Sequence, residues 1–561
     1  MLSANAGGSL PVANYSTRII SDAAGSVFDP QNNSRVRINI PPSVAMVDPF
    51  NSYIQCDMKV NAPAQAGGVA SGVNTFKMAL SNSCGAEQIM RNIRITMDQR
   101  EVETVQNANV LEQFRRAYET DVATKGIDSV FSHGSDYVSQ NPTPFVEAYD
   151  AEAGTMTMNN IATTQVLRPK TSGLLTSKTG LPLFLTGAMA IEWDLETSAN
   201  VLEPVGSGIS SSVAVDNITS SAGGEIGGAT ELLEVTLQQA ADPKYKGYSW
   251  GSTNAEVLAG NPFAVGNVVI VTLENATLGA GTHTFYRRVN ALTINGGNGK
   301  LRIQLDTAIG GLGNAQPCTN LTIQAPLGYS GVSGVGGSTD NGALTASTQA
   351  YTYEISNVAY VARVIELPPA YRAGAARRVA QDGGFQLDIV SWSNYVNNVL
   401  ENVSVQSHLV PSYLSRVRSV ISIPVAAAQT DYQSDRGGAV GNVATYQSVI
   451  GNRREPQRPV SITNWTSDTV RQFPAQEHLA ELVKALSAAG IDCKSLRAFR
   501  QNFAMARSLS YQGSSESLMD RGYRVEMTHT SNVVSAKTLQ TFVCFIRRLA
   551  VTLEQGLMVM D

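Results

Sequence analysis

Charge is what this sequence has least of. Only 16% of its 561 residues are Asp, Glu, Lys or Arg, against about 25% in an ordinary soluble domain. Unpaired charge is costly to bury, so so sparse a complement suits faces that other subunits cover. The net charge is −5, and no basic balance calls for nucleic acid. The pairs Arg115–Arg116, Arg377–Arg378, Arg453–Arg454 and Arg547–Arg548 are scattered. They read as solvated or subunit-facing charge rather than a phosphate-binding track. Cysteine is scarce and odd in number: Cys56, Cys84, Cys318, Cys493 and Cys544. With no CxxC and no zinc spacing among them, free thiols in a reducing compartment are expected. Cys56 and Cys544 lie in apolar stretches and are expected to pack there. No run approaches the ~18–20 apolar residues of a membrane span. The opening residues lack the charged and apolar regions of a secretory signal. Synthesis as a soluble chain in a cytoplasm-like compartment is the expectation.

What the chain does have is glycine (48 residues), much Ser, Thr, Asn and Ala, and many short alternating runs. Val36, Ile38 and Ile40 alternate with polar residues. So do Ile54, Cys56, Met58 and Val60, then Ile93, Ile95 and Met97, with a turn at Asp98–Arg100. Period two marks half-buried strands. Val105, Ala108, Leu111, Phe114 and Tyr118 instead recur every three or four residues, one amphipathic helix. Ile191, Trp193 and Leu195 alternate with Glu192, Asp194 and Glu196. From Tyr351 a long strand runs to Val364, with its frame slipping near Ser356–Asn357 as at a bulge. Phe385, Leu387 and Ile389 alternate, and residues 416–423 form another strand. The helix after Pro474 places Leu479, Leu482, Val483 and Leu486 on its apolar face and stops at Gly490. The last strands are expected at 523–527, 542–546 and 549–553, with the apolar C-terminal end tucked in. Residues 1–30 show no period and read as an arm. Residues 205–348 read as an exposed β-rich insertion with strand islands at 268–273, 301–305 and 321–323, leaving through a flexible Gly-rich exit at 328–337. Many short strands with few helices imply sandwiches or barrels.

Chemical motifs are weak throughout. Gly247-Tyr-Ser-Trp-Gly251 fits the GxSxG pattern, but a nucleophile elbow needs a strand before the Ser and a helix after it, and here the context is a loop. No two of the five histidines, His133, His283, His408, His478 and His529, pair as HxH or HExxH. His478, beside Glu477 and Glu481, reads as part of a solvated helix face. Asn295–Lys300 lacks the first Gly and the final Ser/Thr of a phosphate loop; between Leu292–Ile294 and Leu301–Ile303 it reads as a hairpin turn. No catalytic, cofactor-binding or metal residue is nominated, and no cofactor is expected.

Four stretches carry a family resemblance: Leu181–Leu195 (LPLFLTGAMAIEWDL), Tyr353–Leu367 (YEISNVAYVARVIEL) running into Tyr371, Ser415–Val420 (SRVRSV), and Tyr446–Ile450 with the downstream helix at 475–489. Their order and spacing resemble the double jelly-roll major capsid proteins of polinton-like viruses and virophages, over most of 31–204 and 351–561. The motifs are hydrophobic patterns, not chemical signatures, and their specificity lies in their order. The resemblance implies an all-β chain of two eight-stranded jelly-roll barrels in tandem, each with a short helix. It places an arm at 1–30, a first barrel at 31–372 interrupted by the 205–348 insertion as an outward tower, a hinge near Tyr371–Gly384, and a second barrel at 373–561.

The function implied is a non-enzymatic viral major capsid protein of the virion. Homotrimers would form pseudo-hexagonal capsomers in an icosahedral shell around a double-stranded DNA genome. Its partners would be itself, penton and minor capsid proteins, and a host receptor through the insertion, with no specific nucleic-acid site. Two further classes compete. One is a glycan-binding spike or fibre of β-sandwich domains, using Tyr248 and Trp250 to stack on sugars. The other is a β-rich hydrolase resting on Ser249.

Overall fold

The computed structural model describes residues 13–20, 26–43, 45–61, 78–80, 84–119, 148–150, 155–157, 162–204, 209–214, 217–220, 231–235, 268–274, 281–294, 301–305, 319–325, 329–333, 343–346, 352–381, 384–400, 403–426, 443–462, 476–494, 504–510, 514–519, 521–529, 537–552 and 556–561. The alternating runs become strands with their apolar residues inward. In β2 (Arg35–Ile40) Val36, Ile38 and Ile40 are buried and Arg35, Arg37 and Asn39 exposed. The same holds for Ile54, Cys56, Met58 and Val60 on β3 (Met46–Asn61). A tight turn through Asp98 and Gln99, both at positive φ, joins β4 (Met90–Met97) to β5 (Arg100–Val105). Helix α1 (Ala108–Glu119) follows and buries Ala108, Leu111, Phe114 and Tyr118 as its spacing predicts.

The first barrel is completed by β6 (Thr163–Leu167), β7 (Leu181–Pro182), β8 (Met189–Leu195) and β9 (Thr352–Glu366), together with β1 (Ala13–Ile20). One sheet runs β1-β9-β3-β7, with β6 also paired to β3; the other runs β2-β8-β4-β5. The expected frame slip appears in β9, whose register against β3 shifts between Ser356 and Ala359, with Asn357 at φ 51°.

The second barrel consists of β10 (Phe385–Val399), β11 (Val405–Val410), β12 (Val417–Ala426), β13 (Val443–Ile450), β14 (Arg453–Ser461), helix α3 (Gln476–Ala489), β15 (Met505–Ser508), β16 (Tyr523–His529) and β17 (Lys537–Thr552), with β18 (Gly556–Met560) added to β17. Its sheets run β10-β17-β12-β15 and β11-β16-β13-β14. In strand positions along each barrel, both read first-last-third-sixth and second-seventh-fourth-fifth, and both carry their helix between the fifth and sixth positions. This two-Greek-key order is a jelly roll. The fold is therefore all-β with two jelly rolls in tandem. In the first barrel β6 and β7 share the sixth position.

Five expectations need correction. Residues 13–20 are not a free arm: β1 pairs with β9 from Ala13↔Glu366 to Ile20↔Ala359, as the barrel's first strand. Its outward residues are polar and only Thr17 and Ile19 are half-buried among the side chains described within it, so no strong alternation marks it. The stretch expected as a hinge, Tyr371–Gly384, is largely helix α2 (Pro369–Gln381), which among its described side chains buries only Ala375 and Val379; two inward residues leave little helical period to read. The strands expected at 542–546 and 549–553 are one strand, β17, because it lies between β10 and β12 and pairs on both sides. Part of the Gly-rich exit is ordered as a strand, Tyr329–Ser333 paired with Ala343–Ala346. The α3 face is also rotated from the one expected. His478, Leu482, Ala485, Leu486 and Ala489 point inward while Val483 is exposed. Gly490, at φ 76°, ends this helix.

The insertion holds a seven-stranded antiparallel sheet, in the order 209–214, 319–325, 268–274, 282–294, 301–305, 231–235 and 217–220. The pairing of Leu292↔Ile303 and Ile294↔Leu301 is the hairpin expected there. Val269, Val271, Leu273, Phe285, Ile303 and Leu305 are buried within the insertion. They are separate from the one apolar cluster that runs through both barrels and includes Trp193 and Trp392.

Candidate functional site

Chemistry is not where the described residues converge. His133, Cys318, Tyr248, Ser249 and Trp250 lie outside them, and among them no three His, Cys, Asp or Glu side chains group as metal ligands. His478 is not solvated: its ring is fully buried, edge-on to Tyr446 at 5.7 Å, with Nδ1 at 3.3 Å from the Tyr446 hydroxyl. Burial holds its pKa down, to about 4. The four described cysteines are free, and burial pushes the thiols of Cys56 and Cys544 up to about 12.

What the structure builds with care is the seam where the first barrel's fifth strand and adjoining turn meet the second barrel's first strand. Its centre is the segment 170–174, held from below by two buried carboxylates. The Glu103 carboxylate on β5 accepts hydrogen bonds from Ser172 Oγ (2.6 Å) and from the backbone N–H groups of Gly173 (2.9 Å) and Leu174 (3.2 Å). Burial raises the Glu103 pKa, and these three donors and the nearby Arg547 charge oppose that rise. The Glu112 carboxylate on α1 accepts from the Thr171 N–H at 3.1 Å. Burial pushes Glu112 up to about 7, against the pull of Arg115 and Arg116. Arg115 binds the Lys170 carbonyl and pairs with Glu119 at 2.8 Å.

So held, Gly173 lies directly on the backbone of β10. A Cβ added there would come within 2.8 Å of the Val390 carbonyl carbon and closer still to its oxygen. Only glycine permits so close a backbone approach. Around this contact, Arg547 of β17 donates to the Val102 carbonyl of β5 at 2.8 Å, and Arg100 of β5 donates to the Leu557 carbonyl of β18. Asp561 is part of the same joint, since its carboxylate pairs with Arg547 and its backbone oxygen accepts from Ser415. That is the tucked-in end the sequence predicts. Lys494, beyond α3, donates its N–H to the Tyr118 carbonyl at 2.8 Å.

Two Arg pairs thus depart from the solvated or subunit-facing reading. Arg116 binds buried Glu87 at 3.0 Å and the Cys84 carbonyl at 2.6 Å, and Arg547 serves the seam. The spacing of residues gave no warning of either role. The seam residues come from positions 100–119, 170–174, 388–390, 494 and 547–561, and Gly173 sits in a Lys-Thr-Ser-Gly run that reads as an ordinary turn.

The seam joins unlike edges: the fifth-strand side of one barrel meets the first-strand side of the other. Among the described residues it leaves β1 on the far side of the first barrel and β14 on the far side of the second as edge strands, each paired on one side only. Tyr15 on β1 is exposed and reaches Glu366 at 3.0 Å. β14 exposes Arg453, Arg454, Gln457 and Arg458.

No family model matches this chain, and no curated protein matches it. Solved structures do resemble it along nearly its whole length. The Faustovirus major capsid protein is 10% identical, covers 98% of this chain and 93% of its own, and has a TM-score of 0.47. A chain of the Sputnik virophage structure is 10% identical over 100% of this chain and 91% of its own, at 0.44. The mavirus major capsid protein is 9% identical over 100% and 93%, at 0.35.

Proposed function

We propose that this chain is a viral major capsid protein, a structural rather than catalytic subunit, and that three copies close into one capsomer. The observation that carries this reading is the seam. Two barrels of one strand order meet through unlike edges, a heterologous contact, and a heterologous contact that repeats with the right rotation closes a ring. Repeating it between molecules would set the β14 side of one second barrel against the β1 side of the next first barrel. Three chains then supply six barrels in a ring, a pseudo-hexagonal block that tiles an icosahedral shell in the virion. So low a charge content suits faces buried in such contacts.

The wider partners follow from this reading. Penton and minor capsid proteins would fill the positions a six-barrel block cannot. The 205–348 insertion, with its own sheet and buried residues, would stand out as a tower and offer the surface for a host receptor. The shell would enclose double-stranded DNA without gripping its phosphates, since the net charge is −5 and the Arg pairs are scattered.

The test is the solution mass of the purified full-length chain by light scattering. A stable species near three times 59.7 kDa supports the capsomer. A monomer at every concentration reached overturns it.

A further inference from the structure

The same strand position is finished differently in the two barrels. In the first barrel the second strand, β2, turns Arg35, Arg37 and Asn39 outward. Arg35 pairs with Asp194 at 3.1 Å and Arg37 with Glu192 at 3.3 Å on the neighbouring strand β8. That is how an edge meant for water is kept from sticking: charges on an edge strand deter pairing with another chain. The second barrel's equivalent, β11, turns Val405, Ser407 and Leu409 outward, with Val405 64% and Leu409 60% exposed.

The apolar positions continue across the corner. Val396 on β10 and Leu400 just past it are 53% and 59% exposed. Hydrogen bonds tie the two strands together there. Asn397 Nδ2 donates to the Leu409 carbonyl, and Gln406 both accepts from the Leu400 N–H and donates to the Leu400 carbonyl, at 2.9 Å each. Tyr413, beyond β11, is 75% exposed. From residue 394 to 413 the sequence holds one Asp, Glu, Lys or Arg, namely Glu401.

Four aliphatic side chains and a tyrosine, each more than half exposed, offer on the order of 400 Å² of apolar surface, the size of the largest and often functional apolar patch on a typical monomer. A standard interface buries about 800 Å² per partner, so the corner is large enough to be the apolar centre of one. It also continues strand β10, whose other half already forms the barrel-to-barrel seam.

We propose that this corner of the second barrel, centred on Val396, Leu400, Val405 and Leu409, is a contact surface covered by another copy of this chain. The proposal rests on the capsid reading, which supplies the neighbouring copies. The contrast with β2 makes it one-sided: the first barrel's corresponding corner is finished with ion pairs and offers no such apolar contact.

The experiment copies the first barrel's chemistry onto the second. Val405→Lys and Leu409→Lys are combined in the full-length chain, and association is followed by sedimentation velocity over a concentration series beside the wild type. Both side chains point outward, so the thermal melt should match the wild type and show that the barrel is folded. The expected result is a wild type that self-associates and a double variant whose association midpoint moves up at least tenfold in concentration. Equal association of the two would overturn the corner as a contact and leave the capsid reading standing. A wild type that stays monomeric throughout would overturn both. An Arg35→Lys, Arg37→Lys control on β2 should leave association unchanged; a comparable loss there would refute the one-sided assignment.

Discussion

Replacing Gly173 by alanine tests the seam at its tightest point. The added methyl would sit 2.8 Å from the Val390 carbonyl carbon and 3.0 Å from its nitrogen, and nearer still to its oxygen. All three are backbone atoms in the middle of a strand, so no side chain can swing away. Gly173 cannot retreat freely either, because its N–H and those around it are bound to Glu103. Either the barrels part locally or the 172–174 turn lifts. Overpacking a filled site costs about 1–3 kcal/mol. Lifting the turn strips donors from a buried carboxylate, at about 1–3 kcal/mol for each group left unsatisfied. A total near 3 kcal/mol predicts a fall in Tm of roughly 2–3 °C if the whole chain melts as one unit, and of about 5 °C or more if a single barrel melts by itself. Gly374→Ala is the control: among the described residues nothing lies within 4 Å of a Cβ there, and within helix α2 alanine should gain up to about 1 kcal/mol. Scanning calorimetry of the two variants beside the wild type decides the matter. If Gly173→Ala melts with the wild type, the two barrels do not meet at this backbone contact.

Glu112 makes stability fall as pH rises. Its folded pKa of about 7 lies above the ordinary 4.5, so its penalty is absent below about pH 4.5, grows between 4.5 and 7, and reaches about 3 kcal/mol above that at 1.36 kcal/mol per unit. Glu112→Gln should remove that slope while still accepting from Thr171, which urea midpoints at pH 5 and pH 8 would register; an unchanged slope would count against the buried carboxylate. His478 acts on the acid side. Its pKa is lowered to about 4 from 6.5, so its contribution is full above pH 6.5 and is lost as pH falls towards 4, by about 3 kcal/mol. His478→Gln should flatten that acid limb in the same urea titrations, and an identical limb would sink the assignment. Among the described cysteines, half-buried Cys493 should react with a thiol reagent before buried Cys56, Cys84 and Cys544. Peptide mass spectrometry of the briefly treated native protein would show the order, and early labelling of Cys56 or Cys544 would contradict the packed core.

Local pattern alone fixes a good deal of this molecule. A strand buried on one face must alternate, so Val36–Ile40, Ile54–Val60, Ile93–Met97 and Phe385–Ile389 were legible residue by residue, as were the bulge at Asn357, the turn at Asp98–Gln99 and the stop at Gly490. The order of those pieces carried the jelly-roll reading. Tertiary structure decided the rest, because the deciding partner is far away in the chain. β1 is a strand because the edge of β9 lies open to it some 340 residues later, not because its own side chains alternate. β17 is continuous because strands pair on both of its sides, which its sequence does not record. His478 turns inward because α3 is rotated by its packing against β12 and β15. The seam is the extreme case: Glu103, Gly173, Val390, Arg547 and Asp561 are each ordinary where they stand in the sequence; the folding of the first barrel brings the buried carboxylate its donors, and only the docking of the two barrels gives the glycine its backbone contact.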